Sequence, residues 1–141
     1  MKYKIPINIL KFNDRGNHIM VTGMLLGYKM HLLIDTGASL TVFDIRRIRN
    51  IISQPVIRNY DKFFMGIGTS KIETYSIVID KLQLGDCNLL NHEVVLIDME
   101  NINKAYAAFD LPRIDGIIGG EILKQYDAII DYGNSVLELS L

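Results

Sequence analysis

The residues best placed to do chemistry are gathered in Leu32-Leu33-Ile34-Asp35-Thr36-Gly37-Ala38-Ser39. An apolar run ends in a carboxylate, and a small, tight turn follows. An Asp directly after Leu32-Leu33-Ile34 is poorly set for bulk solvation, and Gly37 lets the backbone fold so that main-chain N–H groups face the carboxylate. Thr36 adds a short hydroxyl able to brace a neighbouring loop. A carboxylate in such a place is a candidate proton carrier. By itself Asp-Thr-Gly reads as a plain β-turn, so the flanking residues decide its value.

Other carboxylates compete. Ile130-Asp131-Tyr132-Gly133-Asn134-Ser135 echoes the first stretch, but Tyr132 replaces the small hydroxyl residue and Gly133-Asn134 is turn chemistry followed by an alternating strand. Asp131 is therefore read as a hairpin-turn residue. Asp115 precedes Ile117-Ile118-Gly119 and is expected to cap its turn through backbone N–H groups; a supporting role beside the cleft is the other reading. Asp98 and Glu100 read as a solvated loop. His18, His31 and His92 are far apart and show no ligand spacing, so no metal site is expected. Cys87, the sole cysteine, is expected in a turn, with no neighbour to activate it, and makes no internal disulfide. Gly66-Ile67-Gly68 lacks the third glycine, lysine and following helix of a phosphate loop, and reads as a hairpin tip.

The elements that must position Asp35 read as mostly β, because short runs rich in Ile, Val, Leu and Tyr alternate with Gly/Asn/Asp clusters. Tyr3–Phe12 alternates, with Ile5, Ile7 and Ile9 on one face. Strands follow at His18–Leu26 and Lys29–Ile34 across a Gly27-Tyr28 turn. Asp44–Ile52 is helical, with Ile45, Ile48 and Ile52 inward, and Arg46, Arg47 and Arg49 on a solvated face; Pro55 closes this helical region. Phe63–Met65 and Lys71–Leu84 flank the glycine-rich tip, and Asn91–Asp98 is a further strand. In Met99–Arg113, Ile102, Tyr106 and Phe109 line a short helix ended by Pro112. Ile114–Gly120 is a glycine-punctuated strand, Glu121–Tyr126 a short helix, and Ala128–Asp131 with Ser135–Leu139 a closing hairpin.

In order along the chain, these features resemble the retropepsin-like aspartic peptidases, closer to the bacterial branch than the viral one. Leu32–Ser39 is similar to their catalytic loop. Phe63–Ile79, centred on Gly66-Ile67-Gly68, is similar to their flap hairpin. Ile117-Ile118-Gly119 resembles the apolar-apolar-Gly strand that passes beside the loop, and Glu121–Tyr126 the helix after it. The resemblance runs from about Ile5 to Leu139. It implies a closed β-barrel-like fold with Asp35 at the base of a cleft. Thr36, Gly37, Ala38 and Ser39 form the active-site loop, Gly66, Ile67 and Gly68 a substrate-binding flap, and Asp115, Ile117, Ile118 and Gly119 a supporting strand. The chemistry needs two carboxylates sharing one proton. With a single Asp-Thr-Gly, the second must come from another copy in a symmetric homodimer. Met1–Leu10 and Val136–Leu141 are β-like and available to interlace with a partner.

Composition agrees with this class. The chain has 141 residues, 49% hydrophobic and 22% charged, with a net charge of −1. That suits one domain, 1–141, with a real core. It gives no footprint for nucleic acid and no polybasic patch for a membrane. No run approaches the ~20 apolar residues of a spanning helix, and the start lacks the apolar stretch of a signal peptide, so a cytoplasmic location is expected. Two functions follow. One is an endopeptidase acting on extended peptides or proteins without metal or organic cofactor. The alternative is a non-catalytic dimerisation or peptide-binding module on the same fold.

Overall fold

The computed structural model describes residues 1–12, 16–60 and 73–141. The expected flap tip, Gly66-Ile67-Gly68, lies outside them. Among the described residues, eleven strands and three helices follow in order: β1 (Lys2–Pro6), β2 (Asn8–Lys11), β3 (Asn17–Leu25), β4 (Tyr28–Ile34), β5 (Val42–Asp44), α1 (Ile45–Ile51), β6 (Arg58–Asn59), β7 (Tyr75–Leu84), β8 (Cys87–Ile97), α2 (Glu100–Ala107), β9 (Gly116–Ile118), α3 (Gly120–Gln125), β10 (Ile129–Asp131) and β11 (Val136–Ser140).

Six strands close a β-barrel in the order β3-β4-β9-β5-β8-β7, because β7 returns to pair with β3 at Gly23↔Leu84 and Met24↔Gln83. Strands β2 and β6 extend it at β3 and β7. The pairs β4–β9 and β5–β8 are parallel. These are the strands whose apolar residues run on without alternating, because both faces are covered. In β4, Met30, Leu32 and Ile34 point into the barrel while Leu33 faces a second core; in β8, Val94 and Leu96 divide from Val95 and Ile97 in the same way. The second core lies under α2, built from Met20, Leu33, Val42, Val95, Ile97, Met99, Tyr106 and Ile114.

Two tight hairpins use backbone conformations with positive φ: Leu26 and Gly27 join β3 to β4, and Gly85 helps join β7 to β8. Such mirror-image turns match the twist of paired strands. The expected strand Tyr3–Phe12 is instead two strands in two sheets. Ile5 and Ile7 are buried, but Ile9 is 39% exposed, since the chain changes partner from β11 to β3 at Ile7. Cys87 is not in a turn either; it opens β8 and is fully buried, and burial pushes its thiol pKa up.

Asp44 caps α1, its carboxylate accepting from the Arg46 amide at 3.3 Å. Ile45, Ile48 and Ile51 are the buried residues, and the helix stops at Ile51, one residue short of the Ile52 the periodicity suggested. Arg47 is not a solvated residue. Its Nη2 donates to the Lys29 carbonyl at 3.0 Å and its Nε lies 3.3 Å from Asp115. Arg46 bridges Asp98 at 2.9 Å and Glu100 at 3.1 Å, so those two acids are partnered rather than free in a loop. Helix α2 ends before Pro112. Asp110 takes a positive φ, its amide returns to the Ala107 carbonyl, and the Leu111 amide returns to Tyr106, a closure that satisfies the last carbonyls without a proline.

The chain ends pair with each other in a separate sheet of order β1-β11-β10. Strand β11 has a partner from its own chain on both edges, and β1 is an edge strand of this sheet. The two chain ends meet over five consecutive pairs, Lys2↔Ser140 to Pro6↔Val136.

Candidate active site

Asp35 stands where β4 leaves the barrel. Its amide donates to the Ile118 carbonyl at 3.0 Å, continuing the parallel ladder with β9 one residue past the strand. Its carboxylate Oδ1 accepts from the Gly37 amide at 2.9 Å. Among the described residues nothing hydrogen-bonds Oδ2, and the residue is exposed. One oxygen is therefore fixed, and the other has no hydrogen-bond partner among the described residues.

The loop after Asp35 is fastened at several points. The Ala38 amide donates to the Asp35 carbonyl at 3.2 Å, and the Gly120 amide to the Ala38 carbonyl at 2.7 Å. The Gly119 amide donates to buried Thr41 Oγ1 at 2.9 Å, and the Thr41 amide to Glu121 Oε1 at 2.6 Å. Loop 35–41 is thus stapled to 118–121. Gly119 has to be glycine here: a Cβ would sit 2.6 Å from the Leu40 carbonyl carbon. Gly116 is as confined, with a Cβ 2.7 Å from the Phe43 ring. Gly37 is glycine for closeness to the carboxylate rather than for a left-handed turn. Its φ is not positive, and a Cβ would lie 3.3 Å from Asp35 Oδ1.

The structure sets Ile118 against Asp35 and Gly119 against Thr41, while Ile117 lies abreast of Leu33 and Val42. It does not bring Asp115 to Asp35. Asp115 lies at the other end of β9, where Oδ2 accepts from the His31 amide of β4 at 2.8 Å and Oδ1 faces Arg47. It braces neighbouring elements rather than capping its own turn. Buried Asp44 closes the same end, paired with Arg113 at 2.8 Å. Asp131 is a turn residue as expected: both its oxygens are taken by Asn134, which holds its carboxyl below the usual range. Thr36 is exposed, with no side-chain hydrogen bond among the described residues. The histidines have separate partners: His18 faces the Tyr106 hydroxyl, His31 the Arg113 carbonyl, and His92 the Tyr126 hydroxyl.

Sequence reasoning missed Thr41 and Glu121, because their roles depend on contacts made across about 80 residues of chain. It also missed Tyr106, whose hydroxyl is pushed up to about 12 by burial and then by the charge of Asp35. A groove of about 620 Å³ between the β3–β4 turn, β7 and the segment after α1 is lined by no residue of the Asp35 loop.

The sequence profile described as "Aspartyl protease" matches residues 21–122, from β3 to α3. The chain belongs to the aspartyl protease family. Solved structures share the fold. A retropepsin-like aspartic protease from Rickettsia conorii superposes with a TM-score of 0.59 at 14% identity, over 99% of this chain and 88% of that one. The retroviral protease-like domain of Ddi1 from Leishmania major gives 0.54 at 15%, over 85% and 86%. The protease of EIAV, solved with an inhibitor, gives 0.55 at 16%, over 86% and 99%. No curated protein sequence matches the chain. The fold of this aspartyl protease family member is therefore that of the retropepsins. Among its described residues, no helix is long and apolar enough to cross a membrane.

Proposed function

We propose that the chain, acting as a single domain, is an aspartic endopeptidase whose active site forms when two copies bring their Asp35 carboxylates together across a two-fold axis. The observation that carries the reading is the state of Asp35, with Oδ1 tied to the Gly37 amide and Oδ2 unpartnered among the described residues. A lone exposed carboxylate is a weak catalyst. Two carboxylates within hydrogen-bond reach cannot both ionise cheaply, so the pair holds one proton near neutral pH. The ionised member then takes a proton from a bound water. The protonated member donates to the scissile carbonyl oxygen as the water attacks, and the proton passes on to the leaving amine. The substrate is a peptide segment in extended form, bound by main-chain hydrogen bonds with side chains reaching alternate pockets. This account uses no metal or organic cofactor.

The dimer contact is proposed at loop 35–39, where Thr36 is exposed and free to hydrogen-bond its counterpart. The test is Asp35→Asn. The amide keeps the shape and the Gly37 contact but cannot serve as a base. The variant should retain the circular dichroism of the parent and lose peptide cleavage; cleavage at the parent rate would contradict the reading.

A further inference from the structure

The β3–β4 register pairs Ile19 with Ile34. The next position along β3, His18, is therefore abreast of Asp35 as the chain leaves β4. Side chains alternate along strands, so His18 and Met20 share a face, and Leu33 and Asp35 share the matching one. Met20 and Leu33 both pack in the core that holds Tyr106. The imidazole of His18 is exposed, while Tyr106 is 5% exposed. Their contact is direct: the Tyr106 hydroxyl lies 2.5 Å from His18 Nδ1. Phe12 completes the cluster, 4.6 Å from the His18 ring and 5.0 Å from Tyr106 between centroids.

A tyrosine hydroxyl can donate to a ring nitrogen or accept from it. Burial and the nearby Asp35 charge hold the Tyr106 hydroxyl in its protonated form, so it has a proton to give. Where Tyr106 donates to Nδ1, the ring proton resides on Nε2. The aromatic packing and this contact hold the ring, with Nε2 as its second polar atom.

We propose that His18 is a specificity residue of this site: its Nε2–H, oriented by Tyr106, donates a hydrogen bond to a side-chain oxygen of the bound peptide and selects for carboxylate or carboxamide residues near the scissile bond. Tyr106 is the positioning residue, acting through His18. The inference rests on the proteolytic reading above.

The experiment profiles cleavage of an extended-peptide library in which Asp, Asn and Ala are scanned through every position. The parent should prefer Asp or Asn over Ala at one position, and His18→Phe should erase that preference. Losing one such hydrogen bond corresponds to a rise in KM of about tenfold, with kcat little changed. His18→Gln keeps an acceptor for Tyr106 and an N–H donor, and should restore most of the preference. Tyr106→Phe frees the ring and should weaken the preference by about threefold, with the Nε2–H tautomer lost in nitrogen chemical shifts. A uniform rise in KM for every peptide in His18→Phe would assign the donor to a main-chain carbonyl and overturn the side-chain selection. An unchanged profile and KM in folded His18→Phe would overturn the role altogether. If the parent cleaves nothing, the proteolytic reading fails. Binding of the same peptides to Asp35→Asn protein, with and without His18→Phe, then still reads the donor: loss of the Asp or Asn preference supports it, and equal affinities overturn it.

Discussion

Two six-residue stretches of this chain carry the same outline, Ile-Asp-x-Gly-x-Ser, and do different things. At 34–39 and at 130–135 the Asp accepts a backbone amide of its own turn at 2.9 Å, from Gly37 in one and from Asn134 in the other. The difference lies in the second oxygen and in what holds the turn. Asp131 Oδ2 accepts from the Asn134 side-chain amide at 2.8 Å, so both acceptors are spent locally. Asp35 keeps Oδ2 unpartnered among the described residues, while its backbone is locked to β9 and its loop to the start of α3. A hairpin turn satisfies its carboxylate from within. A loop held from outside can leave a carboxylate oxygen open for chemistry.

The largest effect should come from replacing these two acids in turn. Asp35→Asn should lower peptide cleavage by on the order of a hundredfold or more, the scale of a lost general base. Asp131→Asn should leave kcat/KM within about twofold, since it removes no group that touches substrate. Steady-state kinetics on both variants check this, and equal losses would erase the contrast.

Glycines in the two regions should separate as clearly. Gly119→Ala forces a Cβ to 2.6 Å from backbone of Leu40 and should cost about 1–3 kcal/mol, as overpacking does. Gly133→Ala meets only Asp131 Oδ1 at 3.4 Å, an ordinary contact, and should stay within ~0.5 kcal/mol. Urea denaturation of both variants measures the difference.

Burial of Tyr106 adds a smaller, pH-dependent effect. Its hydroxyl rises from the ordinary 10.0 to about 12 in the folded state. A raised folded pKa means the contribution to stability is complete below about pH 10 and is lost as pH climbs towards 12. Unfolding midpoints over that range should fall by more in the parent than in Tyr106→Phe.

The smallest effect is expected at Asn134→Ala. Asn134 holds the Asp131 carboxyl low through its side chain first and its backbone second, so removing the amide should raise that pKa towards the usual carboxylate range. A depressed folded pKa contributes stability above the ordinary Asp range and loses it as pH falls. The variant should therefore differ least from the parent in acid. Carboxyl chemical shifts against pH report the change.

Much of this was legible in the residues. Leu32–Ile34 announced a buried strand, turn chemistry was visible at Gly27, and Ile117-Ile118-Gly119 marked the strand beside the loop. Local signals failed where partners come from far away. Ile9 alternates with Ile7 in sequence, but the chain changes sheets between them. Pro112 looked like a helix stop, yet α2 closes earlier through Asp110. Arg47 looked solvated because nothing in its own helix shows Asp115, just before β9, arriving beside it. Glu121 and Thr41 are ordinary residues until a barrel brings them to 2.6 Å.

The most direct test of the central claim mixes parent and Asp35→Asn protein in varying ratio at constant total concentration, with time for exchange, and follows peptide cleavage. If each active site takes one Asp35 from each of two copies, activity falls as the square of the parent fraction, and an equal mixture retains about a quarter of the activity. A straight-line fall, with about half remaining at the equal mixture, would mean that one chain is sufficient and would contradict the shared dyad.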